Sequence, residues 1–306
     1  MPERPTTGST SPPLVSIIMP AYNAGAFIRE AIESVLAQDH AEWELIVVND
    51  GSTDGTGTIA SSFTDPRIRV VHQENRGIGG ARNRALELIR GEFLVTLDAD
   101  DVMPPQSLSS RLAVLLADPD LSFADGSVLM MDRTLTTILK RYTPTFTGEP
   151  LAELLKLNGS CFFGPTWMIR KGTGVELRFD EDTSHAEDLL FYLSISKGRQ
   201  YGFTRETVLH YRRTGTSAMS NLDGLARGYA HIVRWLKARP ELLEARERER
   251  FERKCDMIMA RSYLRNKEPM KALAHVFGIR TPPAYPKTKR KREHAPQTKP
   301  SSVNRS

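Results

Sequence analysis

Apolar residues fall into strand-length runs alternating with helically spaced ones from residue 14 onward. Residues 15–19 are β-branched and apolar, the signature of a buried strand that Pro20 closes. Phe27, Ile28, Ala31, Ile32, Val35 and Leu36 then recur at helical spacing, with Asn23 as the expected N-cap. The unit repeats: residues 45–48 and 67–71 predict further strands, 79–89 a helix and 93–97 a fourth strand. Beyond residue 104 the pattern predicts a helix to Ala117, a strand at 127–131, a looser stretch to Gly148, and a helix at 151–157. A strand at 166–169, a helix at 186–196 and a strand at 208–212 complete it. From Leu222 to about Phe277, Ala, Leu, Glu and Arg dominate, and Leu225, Tyr229, Ile232, Val233 and Leu236 share one helical face, predicting about three helices. Alternating strands and helices predict an α/β fold, a mixed sheet flanked by helices, with a helical C-terminal appendage.

The expected division is a disordered leader at 1–13, a catalytic domain at 14–220, the appendage at 221–279 and a disordered basic tail at 280–306. The chain's 306 residues, 40% of them hydrophobic, suffice for one large core. The net charge of +5 suggests nucleic acid until it is located. Residues 280–306 hold eight Lys/Arg against Glu293, so the tail carries +7 and the remainder −2, which argues against a nucleic-acid partner. Those cations suit peripheral contact with anionic lipid, although a solvated solubility tail explains them better. Cys161 and Cys255 lie far apart without zinc or disulfide spacing, and no apolar run reaches membrane-spanning length. Cytoplasmic residence is the expectation, peripheral at most to the inner face of the membrane.

Four acidic or glycine-rich sites stand where strands end and helices begin. Asp98-Ala99-Asp100-Asp101 packs three carboxylates just past an apolar strand. Crowded like charges raise each other's pKa unless a cation intervenes, so the cluster suits a hard divalent ion, Mn²⁺ or Mg²⁺. An Asp-rich turn capping the helix near Pro104 would look the same. Asn49-Asp50-Gly51-Ser52 ends a neighbouring strand and reads as a turn, yet puts Asp50 at the same sheet edge, where ligands bind in open α/β sheets. Residues 74–83 are glycine-rich and basic and open a helix, so backbone N–H groups and Arg82 suit phosphate or base carbonyls. Glu187-Asp188 opens an apolar helix, where the helix dipole alone would favour carboxylates.

Together, and in this order, these segments resemble the inverting glycosyltransferases of family 2, which have the GT-A fold. The matching pieces are residues 15–23, 48–54, the segment ending Ala81-Arg82-Asn83, 97–101, Glu187-Asp188, and Tyr211-Arg212-Arg213 with Ser217 and Ser220. The resemblance implies a nucleotide-diphosphate sugar donor, most often a uridine one, and a glycan or lipid-linked acceptor. It implies a nucleotide-binding set of Pro20, Tyr22, Asp50, Arg82, Asp98 and Ala99, with Tyr22 against the base. Asp100, with Asp98, would hold the metal, and Asp101 would support the turn. Asp188 matches the general base, and Glu187 would support it. Family members often carry a histidine where this chain has Thr214, so water, Arg212 or Arg213 is expected to replace that contact. The aromatics Phe162, Phe163 and Trp167 could face the acceptor, but core packing accounts for them better.

A nucleotidyltransferase would share the sheet and the metal carboxylates, yet no basic glycine-rich loop precedes Gly77 to grip a triphosphate. A non-catalytic nucleotide-sugar-binding scaffold would have no need of both the acidic cluster and Asp188.

Overall fold

The computed structural model describes residues 12–172, 174, 176–215 and 221–278. The expectations for the basic tail, for most of the leader and for Ser217 and Ser220 lie outside the described residues.

The chain runs β1 (Val15–Ala21), α1 (Ile28–Leu36), β2 (Trp43–Asp50), α2 (Thr56–Ser61), β3 (Ile68–Gln73), α3 (Gly77–Leu86), β4 (Phe93–Thr96) and α4 (Ser107–Ala117). The second half adds β5 (Leu121–Met131), β6 (Ile138–Tyr142), α5 (Leu151–Leu154), β7 (Met168–Arg170), α6 (Glu187–Ile195) and β8 (Gln200–Arg212), then the helices α7 (Leu222–Lys237), α8 (Ala245–Arg265) and α9 (Pro269–Val276). One mixed sheet holds the strands in the order β3-β2-β1-β4-β7-β5-β6, with β8 parallel to β5. The first four strands are parallel, so β1, β2 and β4 release their chains at one edge, at Ala21, Asp50 and Thr96.

These strands are buried on both faces, and the alternation of side chains divides them between two cores. Ile18, Ile46, Val48 and Leu94 face α3, α5, α6 and the C-terminal helices. Val15, Ile17, Met19, Leu45, Val47 and Val95 face α1 and α4. Each core is a sheet face against helices, so displacing any strand end disturbs both.

Several expectations shift. Pro20 does not end β1: it continues the strand opposite Val48. Residues 14 and 18 turn their carbonyls toward β4, receiving the Phe93 and Leu97 amides, so Pro20 has its missing N–H on that same side, where β4 has already ended. A proline costs no ladder bond there. Asn23 caps no helix; it sits in the left-handed region at φ 49° and its Oδ1 accepts the Thr53 amide at 2.9 Å, while Phe27 holds the α1 N-cap position. The looser stretch to Gly148 contains β6, the helix expected at 151–157 shrinks to α5, and α2 follows the turn after β2.

Of the three C-terminal helices, α7 and α8 share the main body's interior, and α9 packs on them through Ala272. Ile232, Val233, Leu236, Phe251 and Cys255 belong to the same buried cluster as Trp167 and Phe191. Two glycines one turn apart in α7 allow the approach: a Cβ on Gly228 would come within 2.3 Å of the His185 carbonyl oxygen, and one on Gly224 within 2.3 Å of the His185 ring. No described helix is long and apolar enough to cross a membrane.

Candidate active site

Past β4, the Leu97 amide still donates to the Ile18 carbonyl, and the chain then turns back as the Asp101 amide donates to the Asp98 carbonyl at 3.1 Å. The three carboxylates of this turn meet different surroundings. Asp98 is partly exposed and pairs through Oδ1 with Arg82 Nη2 at 2.9 Å. Asp100 has its carboxyl pushed up to about 6, by burial first and by Asp98 second. Asp101 is buried and points inward, its Oδ1 accepting the Arg212 amide at 2.8 Å; burial and its two acidic neighbours hold its pKa well above the ordinary carboxylate range.

Arg212 braces the turn from behind. Val102 and His210 exchange backbone hydrogen bonds, which brings the end of β8 against the turn. Arg212 Nε donates to the Asp100 carbonyl at 2.7 Å, Nη1 to the Arg133 carbonyl, and Nη2 to Glu30, while its guanidinium lies over the Phe27 ring. These bonds hold the guanidinium against the protein, and its charge acts on the turn from there, pulling the Asp100 and Asp101 carboxyls down against burial. Arg213 is exposed and Thr214 partly buried at the end of the same strand.

Arg82 links the turn to the second acidic site. It projects from α3 with 1% of its side chain exposed, and Nη1 donates to Glu187 Oε1 at 2.9 Å while Nη2 holds Asp98. Both Nη atoms meet carboxylates here, and the glycines that open α3 let the helix pack closely on the segment around Asp180. A Cβ on Gly79 would meet the Asp180 carbonyl at 2.8 Å. Glu187 and Asp188 form the first turn of α6, whose N-cap, Ala186, is in the left-handed region at φ 58°. Asp188 is partly buried, its Oδ1 accepting the Leu189 amide at 2.7 Å. Its carboxyl is pushed up to about 7 by burial and then by Glu187, against the pull of Arg82.

The segment carrying Asp188 is held from two sides. From α3, Asn83 exchanges hydrogen bonds with the Phe179 backbone and binds Glu181, and Arg76 pairs with Glu181 at 3.0 Å. From α7, His231 meets Asp180 at 3.0 Å and the two glycines press on His185. Sequence reasoning singled out none of Asn83, Asp180, Glu181 and His231 as structural partners of the site, because they join segments about fifty to a hundred residues apart.

Tyr22 and Asp50, expected to face a nucleotide, lie at the ends of β1 and β2. Tyr22 is 55% exposed, directly beyond β1. Asp50 is buried, and its Oδ1 accepts Gln73 Nε2 at 2.7 Å and the Arg76 amide at 2.8 Å. Gly51 follows at φ 72°, where a Cβ would strike the Asn75 amide at 2.8 Å, so the turn that aims Asp50 requires glycine. Pro20 and Ala99 are buried beneath this edge. Trp167 lies in the core, stacked on Tyr192, and Phe163 packs against Tyr142 and Tyr211.

Among the described residues, no group of three or more His, Cys, Asp and Glu is arranged to hold a metal ion. The donor chemistry still fits one of restricted kind. Asp98 is paired with Arg82, but Asp100 has no ion pair among the described residues and is pushed up by burial and by Asp98, and a hard divalent ion is satisfied by one or two protein carboxylates when phosphate oxygens supply the remainder.

Four parallel strands with three of their ends at one edge, an acidic turn and a mixed second half define the GT-A glycosyltransferase fold. Solved structures of that fold are similar to the chain: Staphylococcus aureus TarS in complex with UDP-GlcNAc, with a TM-score of 0.57 at 19% identity over 86% of this chain and 92% of that one. The mannosyltransferase PcManGT from Pyrobaculum calidifontis, in complex with GDP-Man and Mn²⁺, gives a TM-score of 0.57 at 21% identity over 90% and 78%. By sequence, the chain belongs to glycosyl transferase family 2, whose description matches residues 16–173. It is 32% identical to the glycosyltransferase GlyG of Streptococcus pneumoniae serotype 4 over 67% of this chain and 73% of the relative. It is also 34% identical to WfgD of Escherichia coli, a UDP-Glc:alpha-D-GlcNAc-diphosphoundecaprenol beta-1,3-glucosyltransferase, over 60% and 70%.

Proposed function

We propose that the protein transfers a sugar from a nucleoside diphosphate, UDP in the first instance, to a hydroxyl of a glycan or lipid-linked acceptor, with inversion and with a divalent metal. The observation carrying this reading is the Arg82 bridge: one buried guanidinium ties Asp98 of the acidic turn to Glu187, whose neighbour is Asp188. A carboxylate with its pKa near 7 is thereby held close to the nucleotide-binding edge. The complexes of TarS with UDP-GlcNAc and of PcManGT with GDP-Man and Mn²⁺, and the acceptor in WfgD's name, support the classes of donor, metal and acceptor.

In this mechanism Tyr22 stacks on the base and Asp50 accepts a hydrogen bond from it, while Pro20 and Ala99 shape the floor. Asp98 and Asp100 would hold the ion, whose chemistry there is to neutralise the departing diphosphate. Asp188 takes the acceptor hydroxyl's proton as that oxygen bonds to the anomeric carbon from the face opposite the diphosphate, whose C–O bond breaks with the electron pair leaving on the diphosphate. A base near pKa 7 is strong enough to take the proton and still ionised at neutral pH. Glu187, held by Arg82, keeps a second negative charge beside Asp188 and thereby raises its basicity. In this reading residues 14–220 carry the chemistry and residues 221–279 brace it, and the burial of Cys161 and Cys255 suits a reducing cytoplasm.

Two variants test the assignment. Asp188→Asn is expected to lower turnover about 10³-fold, within the range for a general base, with nucleotide binding retained. Asp100→Ala is expected to abolish Mn²⁺-dependent donor binding. Calorimetry with UDP and its sugars, alongside turnover, separates them, and near-normal turnover by Asp188→Asn would remove the base from the mechanism.

A further inference from the structure

The outer face of α8 presents a basic stripe that the catalytic site does not use. Arg246, Arg250, Lys254, Met257, Arg261 and Leu264 follow one another at intervals of three and four residues, the spacing of a single helical face. All but the half-buried Lys254 are exposed, and none of these four cations forms an ion pair among the described residues. The helix's acids are directed elsewhere: Glu252 pairs with Lys237 of α7, Asp256 with His275 of α9, Glu249 with Arg253, and Glu247 closes the α8 capping box. Glu249, Glu252 and Asp256 thus lie off the basic stripe, where with Arg253 and Gly278 they line a hollow, and Glu247 borders the stripe at the helix start.

Packed on α8, the short α9 exposes apolar side chains to solvent. It buries Ala272 inward and leaves Met270 at 77%, Phe277 at 71%, Val276 and Leu273 exposed on its outer side. Four large apolar residues clustered at one helix are not the scattered exposure usual on a monomer. The chain beyond Gly278 is rich in Lys and Arg and poor in large apolar residues, so its composition suits it poorly to cover them.

We propose that α8 and α9 form a docking surface for an anionic lipid bilayer, with the α8 cations meeting headgroups and the α9 apolar residues entering the interface. A basic stripe alone would fit nucleic acid equally well. The apolar residues of α9 decide for a membrane, because they gain nothing from phosphodiester backbone and are stabilised among acyl chains. The surface is remote in sequence from the acidic turn and Asp188, so the inference stands independently of the reaction mechanism.

Flotation of the full chain with vesicles of phosphatidylcholine alone or mixed with phosphatidylglycerol tests it. The protein is expected to float with the anionic vesicles, and Arg250→Glu/Lys254→Glu/Arg261→Glu to weaken that partition by about fivefold or more per cation. Leu273→Ser/Phe277→Ser should weaken it as well, while Phe277→Trp should shift its emission to the blue on anionic vesicles. Calorimetric binding of UDP, unchanged in each variant, shows that the fold is intact. Anionic-vesicle binding identical in both surface variants and the unaltered chain would overturn the proposal. So would a failure of the unaltered chain to float, tight stripe-dependent binding of duplex DNA without vesicle binding, or a dimer that Leu273→Ser/Phe277→Ser dissociates with no change in flotation.

Discussion

Arg82 is almost wholly buried and each of its Nη atoms holds a carboxylate, so replacing it strands two acids at once. Arg82→Met is expected to cost about 3 kcal/mol in denaturant unfolding, the scale for breaking a buried ion pair from one side. Because Arg82 pulls the Asp188 pKa down, the same variant should move the acidic limb of the kcat–pH profile to higher pH, a change that lost packing alone would not produce. In the unaltered enzyme that limb is expected near pH 7, with turnover rising as Asp188 loses its proton. Stability runs the other way. The folded protein keeps this proton where the unfolded chain, with an ordinary value of 3.8, has released it, so the Asp188 contribution to stability falls between about pH 4 and pH 7. Thermal unfolding of Asp188→Asn across that range should show a shallower fall. The carboxylates of the acidic turn were legible as a group from their spacing, but their separate states were not. Asp100 and Asp101 are adjacent in sequence and differ in the structure because one has only its backbone carbonyl held by Arg212 whereas the other is turned inward onto the Arg212 amide.

At the level of elements, α6 and α7 meet where the mechanism is most sensitive. The left-handed Ala186 turns the chain into α6 immediately before Glu187 and Asp188, and Gly228 of α7 lies against the carbonyl one residue earlier. Gly228→Ala is expected to destabilise by about 1–3 kcal/mol through overpacking, because the obstructing atom is backbone and cannot swing aside. Turnover should fall at temperatures where the variant remains folded, with little change in donor affinity; a melting scan and a kcat against KM comparison check both. Strands β1, β2 and β4 were plain in the sequence because, buried on both faces, they read as apolar runs. β6 was not, since residues 138–142 are mostly exposed and carry no apolar periodicity. Asn23 looked like a cap because the residue type favours one, yet its side chain serves the loop after β2, a partner 30 positions away that no local pattern indicates.

Over the whole molecule, α7 and α8 share a core with the catalytic sheet. A chain shortened to end at residue 221 would expose the faces of Phe191, Trp167 and their neighbours that α7 and α8 cover. It is expected to lose cooperative unfolding, measured by circular dichroism in denaturant, although the GT-A motifs would all be present; a cooperative transition of unchanged midpoint would show that the helices are dispensable. Periodicity and residue type were enough to specify the alternation of elements, the common edge of Tyr22, Asp50 and Asp98, and the family, because each depends on short-range spacing. The pairing of Arg82 with Asp98 and Glu187, the inward turn of Arg212, and the seating of α7 against His185 join positions from 16 to more than a hundred residues apart. Those arrangements arise because burying a charge requires a partner, and which partner is within reach is settled by how the sheet and helices pack.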